Sequence, residues 1–505
     1  MTEAREAPLF QPRERFAPGP YRLLPFRFSR LDGERCVATN DVGEYVILTR
    51  TELTSFVSGE LQPTSEIYRQ LKVRHFMFEE GETAPLDLLA LKVRTRASRI
   101  ADFTGLHIFV VTLRCDHTCD YCQVSRQTED KSAFDMTVDM AEHALALVFR
   151  SPSPHLKIEF QGGEPLLNFE MVEHVVRRAK ELNRGHGRSL AFVIASNLAR
   201  LDDRILQFCR DEGVAFSTSL DGPAALHDAH RRARGASSHA LAIRGIHRVR
   251  EALGPHGVSA LMTTTPETLT RVRDVIDEYV RTGFESIFLR PMSPFGFATR
   301  KSLVRRYDAS GWVEFYKTAL AYILELNRRG TRLREELTTI LLQKMLTAGG
   351  ASYVDLQSPA GIGIGAIVYN YDGRIYGSDE GRMLAEMGDE AFLIGRLGFD
   401  SFEAVMTSEC LTTILEDTLL ESSPMCSDCA FLPYCGADPA FHRATCGDVV
   451  GHKALSEFCA RQMGSIRHLL TLLSDDRAAR DIFMQWVFGA SAPAPPPPLN
   501  AEPAR

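Results

Sequence analysis

Between residues 98 and 296 the sequence repeats one unit six times: a short apolar run, then a stretch with helical spacing. The runs read as strands at 106–113, 156–160, 190–195, 214–219, 257–263 and 286–290. Near-continuous apolar strands are those covered on both faces, and between them Leu269, Val272, Ile276 and Val280 line one helix face. Thr265 followed by Pro266 is expected to cap that helix. Repeated right-handed crossovers force a parallel sheet with its helices outside. The expectation is an α/β fold, a sheet of six units curled into an open barrel.

The chemistry-bearing residues fall just after these strands, where barrel enzymes keep their active sites. Behind the first strand, Leu113-Arg-Cys-Asp-His-Thr-Cys-Asp-Tyr-Cys-Gln123 places Cys115, Cys119 and Cys122 in a CxxxCxxC spacing. Three thiolates can close three corners of a cubane iron–sulfur cluster, which needs one thiolate per iron, leaving the fourth iron open. A zinc knuckle is the competing reading, but zinc wants four ligands, and the next histidine in sequence is His143, inside an expected helix. A CxxC alone could also be a redox dithiol.

The cysteine spacing, with Tyr121 before the last thiol, resembles the radical S-adenosylmethionine (radical SAM) superfamily. The resemblance implies a partial (β/α)6 barrel in which the methionine amino and carboxylate groups of the cofactor cap the open iron. It also implies reductive cleavage of the cofactor to a 5′-deoxyadenosyl radical. After the second strand, Gln161-Gly-Gly-Glu-Pro165 resembles the family motif that holds the methionine amino group. Gly162 and Gly163 are expected to let the backbone approach the ligand, and Glu164 to take the ammonium. Ser196-Asn197 resembles the polar pair near the cofactor. Ser217-Thr-Ser-Leu-Asp-Gly-Pro223, followed by His227-Asp228 and Arg231, is similar to a pattern of peptide-modifying members. By that resemblance Ser217 or Ser219 would bind ribose or carboxylate, Asp221 would belong to the cofactor site, and Arg231 would pair with the cofactor carboxylate.

A chain of 505 residues should hold two to four domains. A net charge of −7 with balanced signs offers no nucleic-acid footprint, and no apolar run is long enough to span a membrane. The first residues lack the apolar core of a secretory signal, so a cytoplasmic protein is expected. Residues 1–20 read as a flexible arm. Residues 21–97 carry three short strands followed by helices, which resembles the winged-helix element on which peptide-modifying enzymes dock a leader peptide as an added strand; a purely structural cap is the alternative. Residues 98–350 are assigned to the barrel with a helical extension, where Trp312, Phe315, Ala319, Tyr322, Ile323 and Leu326 repeat at core spacing. Gly361-Ile-Gly-Ile-Gly365 fails as a dinucleotide motif because Ala366 stands where a further glycine is needed. From 481 to 505 a Pro-rich, disordered tail is expected, after a helical pattern that fades by about Phe488.

Of eleven cysteines, five lie between Cys426 and Cys459, while Cys36, Cys209 and Cys410 read as small buried residues. Cys426-Ser-Asp-Cys429 with Cys435 could be a zinc ribbon. Behind such a barrel, residues 351–480 resemble the SPASM or twitch extension that carries auxiliary [4Fe–4S] clusters. Three ligands of its inner cluster are missing: Ser378 and Pro439 occupy cysteine positions, and Gln357-Ser-Pro-Ala360 has none. The resemblance leaves one auxiliary cluster on Cys426, Cys429, Cys435 and Cys459, with Cys446 as the lesser candidate for fourth ligand. Asp379 falls where some members carry a base for side-chain oxidation.

Tyr21-Arg-Leu-Leu-Pro-Phe-Arg-Phe, Asp130-Lys-Ser, Phe149-Arg-Ser-Pro-Ser-Pro and Phe288-Leu-Arg-Pro-Met-Ser-Pro-Phe-Gly extend the resemblance to maturases of His-Xaa-Ser peptide systems. That implies a ribosomal precursor peptide as substrate, oxidation or crosslinking of it, a flavodoxin- or ferredoxin-type electron donor, and a second radical SAM partner protein. A sulfatase-type maturase acting on Cys or Ser, and a zinc-bound peptide scaffold, are the alternatives.

Overall fold

The computed structural model describes residues 20–348 and 354–489, so the expected arm before Pro20 and the tail beyond Gly489 lie outside the described residues, as does the 350/351 boundary. The N-terminal unit holds β1 (Tyr21–Leu23), β2 (Phe26–Arg30), β3 (Arg35–Asn40), β4 (Tyr45–Thr49), α1 (Arg50–Val57), α2 (Glu66–Val73), β5 (Met77–Glu79) and α3 (Ala84–Ala97). β2, β3 and β4 form an antiparallel sheet in that order, so β2 is an edge. α1 starts at a capping box in which Thr49 and Glu52 satisfy each other's backbone N–H groups. One face of the sheet buries Cys36, Ala38 and Val46 with Phe56, Tyr68 and Leu71 in a core of its own. The other face meets the C-terminal region, where the Thr39 hydroxyl donates to the Ala430 carbonyl at 2.7 Å and the Tyr434 hydroxyl to that of Gly43 at 2.8 Å.

The barrel segment runs β6 (Leu106–Thr112), β7 (His117–Cys119), α4 (Lys131–Phe134), α5 (Val138–Val148), β8 (His155–Gly162), α6 (Phe169–Asn183), β9 (Ser189–Ala195), α7 (Asp203–Glu212), β10 (Val214–Ser219), α8 (Ala224–His230), β11 (Arg231–Ala233), α9 (Ser238–Leu253), β12 (Val258–Thr264), α10 (Val272–Arg281), β13 (Ser286–Ile287) and β14 (Leu289–Pro291). β6, β8, β9, β10, β12 and β14 are parallel neighbours in sequence order, as the repeat predicts. Two details differ. α10 begins at Val272, not after Pro266: the Thr265 N–H goes to the Thr268 hydroxyl and a short 3₁₀ turn intervenes. The sixth strand is broken at Phe288.

That break has a cause further along the chain. After α11 (Gly296–Arg300) and α12 (Ala309–Arg328) comes β15 (Arg334–Glu335), which pairs with β13, and then α13 (Glu336–Leu346). The fully buried Glu335 carboxylate takes the Leu289 N–H at 3.1 Å as well as the first N–H groups of α13. Burial pushes this carboxyl up, from its ordinary 4.5 to about 7. A raised folded-state pKa adds stability that is complete below about 4.5 and lost as pH rises through about 7. In apoprotein, Glu335→Gln is therefore expected to flatten a fall of order 3 kcal/mol across that window. Unfolding of both proteins from pH 4.5 to 8 checks it, and parallel curves would contradict it.

The sheet does not stop at β6. β16 (Ala366–Tyr369) joins it in parallel, followed by antiparallel β17 (Arg374–Tyr376) and β18 (Leu393–Arg396), giving nine strands. α14 (Asp379–Ala385), α15 (Phe402–Met406), α16 (Glu409–Asp417), α17 (Pro439–Cys446), α18 (Glu457–Asp475) and α19 (Arg477–Phe488) complete the described chain. The last helix thus carries ordered structure past 481, where the sequence reading begins its tail. Trp312, Phe315, Ala319 and Ile323 are core residues, as their spacing implies. No described helix is long and apolar enough to cross a membrane.

Candidate active site

At the C-terminal ends of the parallel strands lies a cavity of about 270 Å³ that exposes all three clustered thiols, Cys115, Cys119 and Cys122. Their loop is braced from several sides. β7 pairs antiparallel with β11, setting Cys119 opposite Arg231. The Phe297 N–H binds the Cys122 carbonyl at 2.8 Å, and a Cβ on Gly296 would stand 2.4 Å from the same oxygen. Asp116 takes the Asn197 amide at 2.8 Å, the Arg200 guanidinium at 2.8 Å and a His117 ring nitrogen at 2.9 Å. Burial pushes the Cys119 thiol up to about 12, and Cys115, which also faces Glu164, higher still. A metal bound at these thiols would displace their protons and stabilise the thiolates.

Gly162 and Gly163 line the cavity and also meet the cysteine loop closely. A Cβ on Gly162 would lie 1.9 Å from the Thr112 carbonyl oxygen, and one on Gly163 2.2 Å from that of Arg114. Their bareness lets the β8 end pack against the entrance of the cysteine loop, through Gly163 N–H to Thr112 and Glu164 N–H to Arg114, both 2.8 Å. Gly163→Ala is expected to cost about 1–3 kcal/mol, as overpacking does, and to loosen the thiol loop. A lower unfolding midpoint with reduced iron uptake would show it; unchanged values would contradict it.

Glu164 and Asp221 stand behind the cavity wall. Glu164 is 1% exposed and accepts from the Ser196 hydroxyl at 2.7 Å, Leu166 N–H at 3.0 Å and Asn197 N–H at 2.8 Å. Burial raises it to about 7, against those three bonds. Asp221, also 1% exposed, receives Arg231 Nε at 2.8 Å, Thr263 N–H at 3.1 Å and the Tyr121 hydroxyl. Burial alone would raise it, but the Arg231 charge holds it below the ordinary carboxylate range. Arg231 lies 5.1 Å from the Tyr121 ring centre, a cation–π contact. Tyr121, Ser196, Asn197, Ser217, Ser219 and Arg231 do line the cavity. So do Arg126, His117 and Thr218, on which Arg126 Nε, His117 Nε2 and the Thr218 hydroxyl are buried without a partner among the described residues. His117 and Thr218 lie within the quoted motifs without an assigned role, and Arg126 lies outside any of them.

Asp379 reaches the same cavity. Its Oδ1 is clamped by fully buried Arg382, through Nη2 at 2.6 Å and Nε at 3.1 Å. Ser378 caps α14 and Asp438 caps α17, whose first residue is Pro439. Asp438, beside Pro439, lines a cavity of about 80 Å³ together with Leu356, Arg290, Glu380 and Arg461. Among the outer thiols, Cys429 and Cys459 lie within electrostatic reach of each other and of both Cys426 and Cys435. Cys446 is exposed, its thiol on the His442 carbonyl at 3.1 Å. Cys36 and Cys209 are buried, while half-buried Cys410 donates to the Ala391 carbonyl at 3.1 Å. Among the described residues no three His, Cys, Asp or Glu side chains close tightly enough to hold a single ion; a cubane binds each thiolate to a different iron and needs a wider set.

Residues 109–279 match the radical SAM superfamily, so this segment is a radical SAM domain. An uncharacterised protein of Methanocaldococcus jannaschii is 23% identical over 188 residues, 37% of this chain and 62% of that protein, so the chain spans less than two thirds of this relative. The serine-type anaerobic sulfatase-maturating enzyme of Klebsiella aerogenes is 24% identical over 206 residues, 40% of this chain and 49% of the enzyme. The structure of native anSMEcpe with bound AdoMet aligns with a TM-score of 0.62 at 17% identity, covering 75% of this chain and 99% of that one, which establishes the shared fold. Radical SAM enzymes use S-adenosylmethionine with a [4Fe–4S] cluster. Three cavity-facing thiols and the unpartnered polar atoms beside them fit that pair.

Proposed function

We propose that the protein is a radical SAM maturase that oxidatively modifies, by crosslinking, a ribosomally made peptide, with His-Xaa-Ser repeats as the favoured substrate. The observation that carries the reading is the convergence of Cys115, Cys119 and Cys122 with unpartnered Arg126, His117 and Thr218 groups in one strand-end cavity. Bound there, the cluster and S-adenosylmethionine supply a radical that takes a hydrogen atom from substrate. Arg231, fixed by Asp221, presents a cation to the cofactor carboxylate, and Glu164 holds the Ser196–Asn197 turn while offering a carboxylate to its ammonium. Ser217 and Ser219 border the ribose. Asp379 is the nearest candidate to take a proton from substrate, its Arg382 clamp keeping it oriented.

The free edge of β2 is the docking strand in this reading. A groove beside it is lined by Phe28, Arg30, Arg50, Leu53 and Val57, apolar with two cations, which suits an extended peptide carrying acidic residues. Cys426, Cys429, Cys435 and Cys459 would hold one auxiliary [4Fe–4S] cluster. A flavodoxin- or ferredoxin-type donor, a second radical SAM protein and a cytoplasmic setting complete the proposal.

The Klebsiella relative and anSMEcpe favour a second reading, oxidation of a Cys or Ser in a protein substrate. Co-expression with candidate precursor peptides, followed by mass spectrometry, separates the two. Loss of two hydrogens mapped to a His-Xaa-Ser segment supports the first. Conversion of an isolated Ser or Cys would replace it, and zinc in place of iron would remove both.

A further inference from the structure

We propose that Lys344 is the built-in counter-ion of the auxiliary cluster and makes it the more easily reduced of the two clusters; this rests on the four-thiol reading above. Lys344, on α13, is 7% exposed. Its ammonium donates to the Cys435 carbonyl at 2.8 Å and to the Leu356 carbonyl. Among the described residues no carboxylate forms an ion pair with it. Arg96, another cation, lies within electrostatic reach, with Glu421 as the acid. A buried ammonium without an anion is strongly unfavourable, and burial pushes this one down to about 7; an anionic cluster beside it would hold it charged. The polypeptide leaves this one beside a cysteine of the cluster set.

A cubane on four thiolates is net anionic and gains a further negative charge on reduction, so a fixed cation favours the reduced form. Three more cations surround the same thiols. Arg27, on β2, binds the Ser427 carbonyl at 2.5 Å, inside the Cys426–Cys429 turn. Arg467 lies 5.6 Å from the Phe431 ring centre and, with Arg27, within reach of Cys429. Lys453 acts on Cys426 and Cys459. The loop of the first three cysteines is different: Cys115 faces Glu164 and Asp116, while Cys119 has Arg231 and Arg126 against Asp221. Of the four auxiliary cations Lys344 is the best shielded from solvent and thus the least screened by salt.

The test uses the full chain carrying Cys115→Ala, Cys119→Ala and Cys122→Ala, so that only the auxiliary cluster assembles. After anaerobic reconstitution, iron is counted and the cluster is titrated with dithionite under EPR, with Lys344, Lys344→Gln and Lys344→Arg compared. At about four irons per chain, Lys344→Gln is expected to show about a tenfold lower reduced-to-oxidised ratio at fixed potential, a 59 mV fall for one electron. Lys344→Arg should stay within about twofold of the parent. An unchanged ratio in Lys344→Gln at full iron overturns the proposal, whereas loss of iron from Lys344→Gln but not Lys344→Arg upholds it. If both variants lose iron, the wild-type protein decides: an auxiliary midpoint above that of the other cluster supports it, one below overturns it. Absence of iron from the Lys344 parent would instead sink the four-thiol reading.

Discussion

Cys119→Ala is expected to reduce 5′-deoxyadenosine formation from S-adenosylmethionine to the level of an enzyme-free blank. Cys119 sits at the centre of the thiol loop and opposite Arg231 across the β7–β11 pair. Without its thiolate one iron loses its protein ligand, and the remaining pair cannot hold a cubane with a single open corner. Folding should survive, because the β7–β11 bonds are made by the backbone. The checks are iron content, circular dichroism and product analysis under dithionite. The iron count should fall by about four while Cys426, Cys429, Cys435 and Cys459 keep theirs. Product at the wild-type rate would show that Cys119 is not a ligand.

The second large effect is expected at a residue that touches no ligand. Asp221→Asn removes the carboxylate that holds Arg231 at 2.8 Å and receives the Tyr121 hydroxyl, in a site where Asp221 is 1% exposed. Breaking one half of a buried ion pair costs about 3–5 kcal/mol because it leaves a charge unpaired. The lower end is expected here, since Arg231 also borders the cavity. A lower urea midpoint with unchanged slope measures it. Because the folded-state carboxyl is held below its ordinary range, the contribution is present above about pH 4 and lost as pH falls further. The difference between wild type and Asp221→Asn should therefore shrink in acid. Replacing both partners, as Asp221→Leu with Arg231→Met, should do less harm to stability than Asp221→Asn alone. A midpoint unchanged in Asp221→Asn would mean the triad does not anchor the cysteine loop.

Where the sequence carried a local signal, the structure follows it. β6 is legible as an apolar run buried on both faces, whereas β8, β9, β10 and β12 bury alternate residues and show the period of two. The sixth strand was misjudged because its interruption depends on Glu335, some forty-five residues later, which draws off the Leu289 N–H. The strands β16 to β18 follow the Gly-rich stretch 361–365, and nothing local shows that they extend the barrel sheet. At the site, the thiols were legible from their spacing, and Ser196, Asn197, Ser217, Ser219 and Arg231 through the family resemblance alone. The glycines of Gln161-Gly-Gly-Glu164 were legible as a close approach beside the cavity, but their packing on the Thr112 and Arg114 carbonyls was not. Arg126 carries no pattern of its own, and His117, though inside the cysteine motif, is singled out only by a ring nitrogen buried without a partner among the described residues.

The most direct measurement is anaerobic reconstitution of the full chain, followed by iron counting and incubation with S-adenosylmethionine and dithionite. The account predicts about eight irons per chain, from seven liganding cysteines and one open site, together with 5′-deoxyadenosine and methionine that vanish in Cys119→Ala. Bound zinc, or iron without cleavage of S-adenosylmethionine, would contradict it.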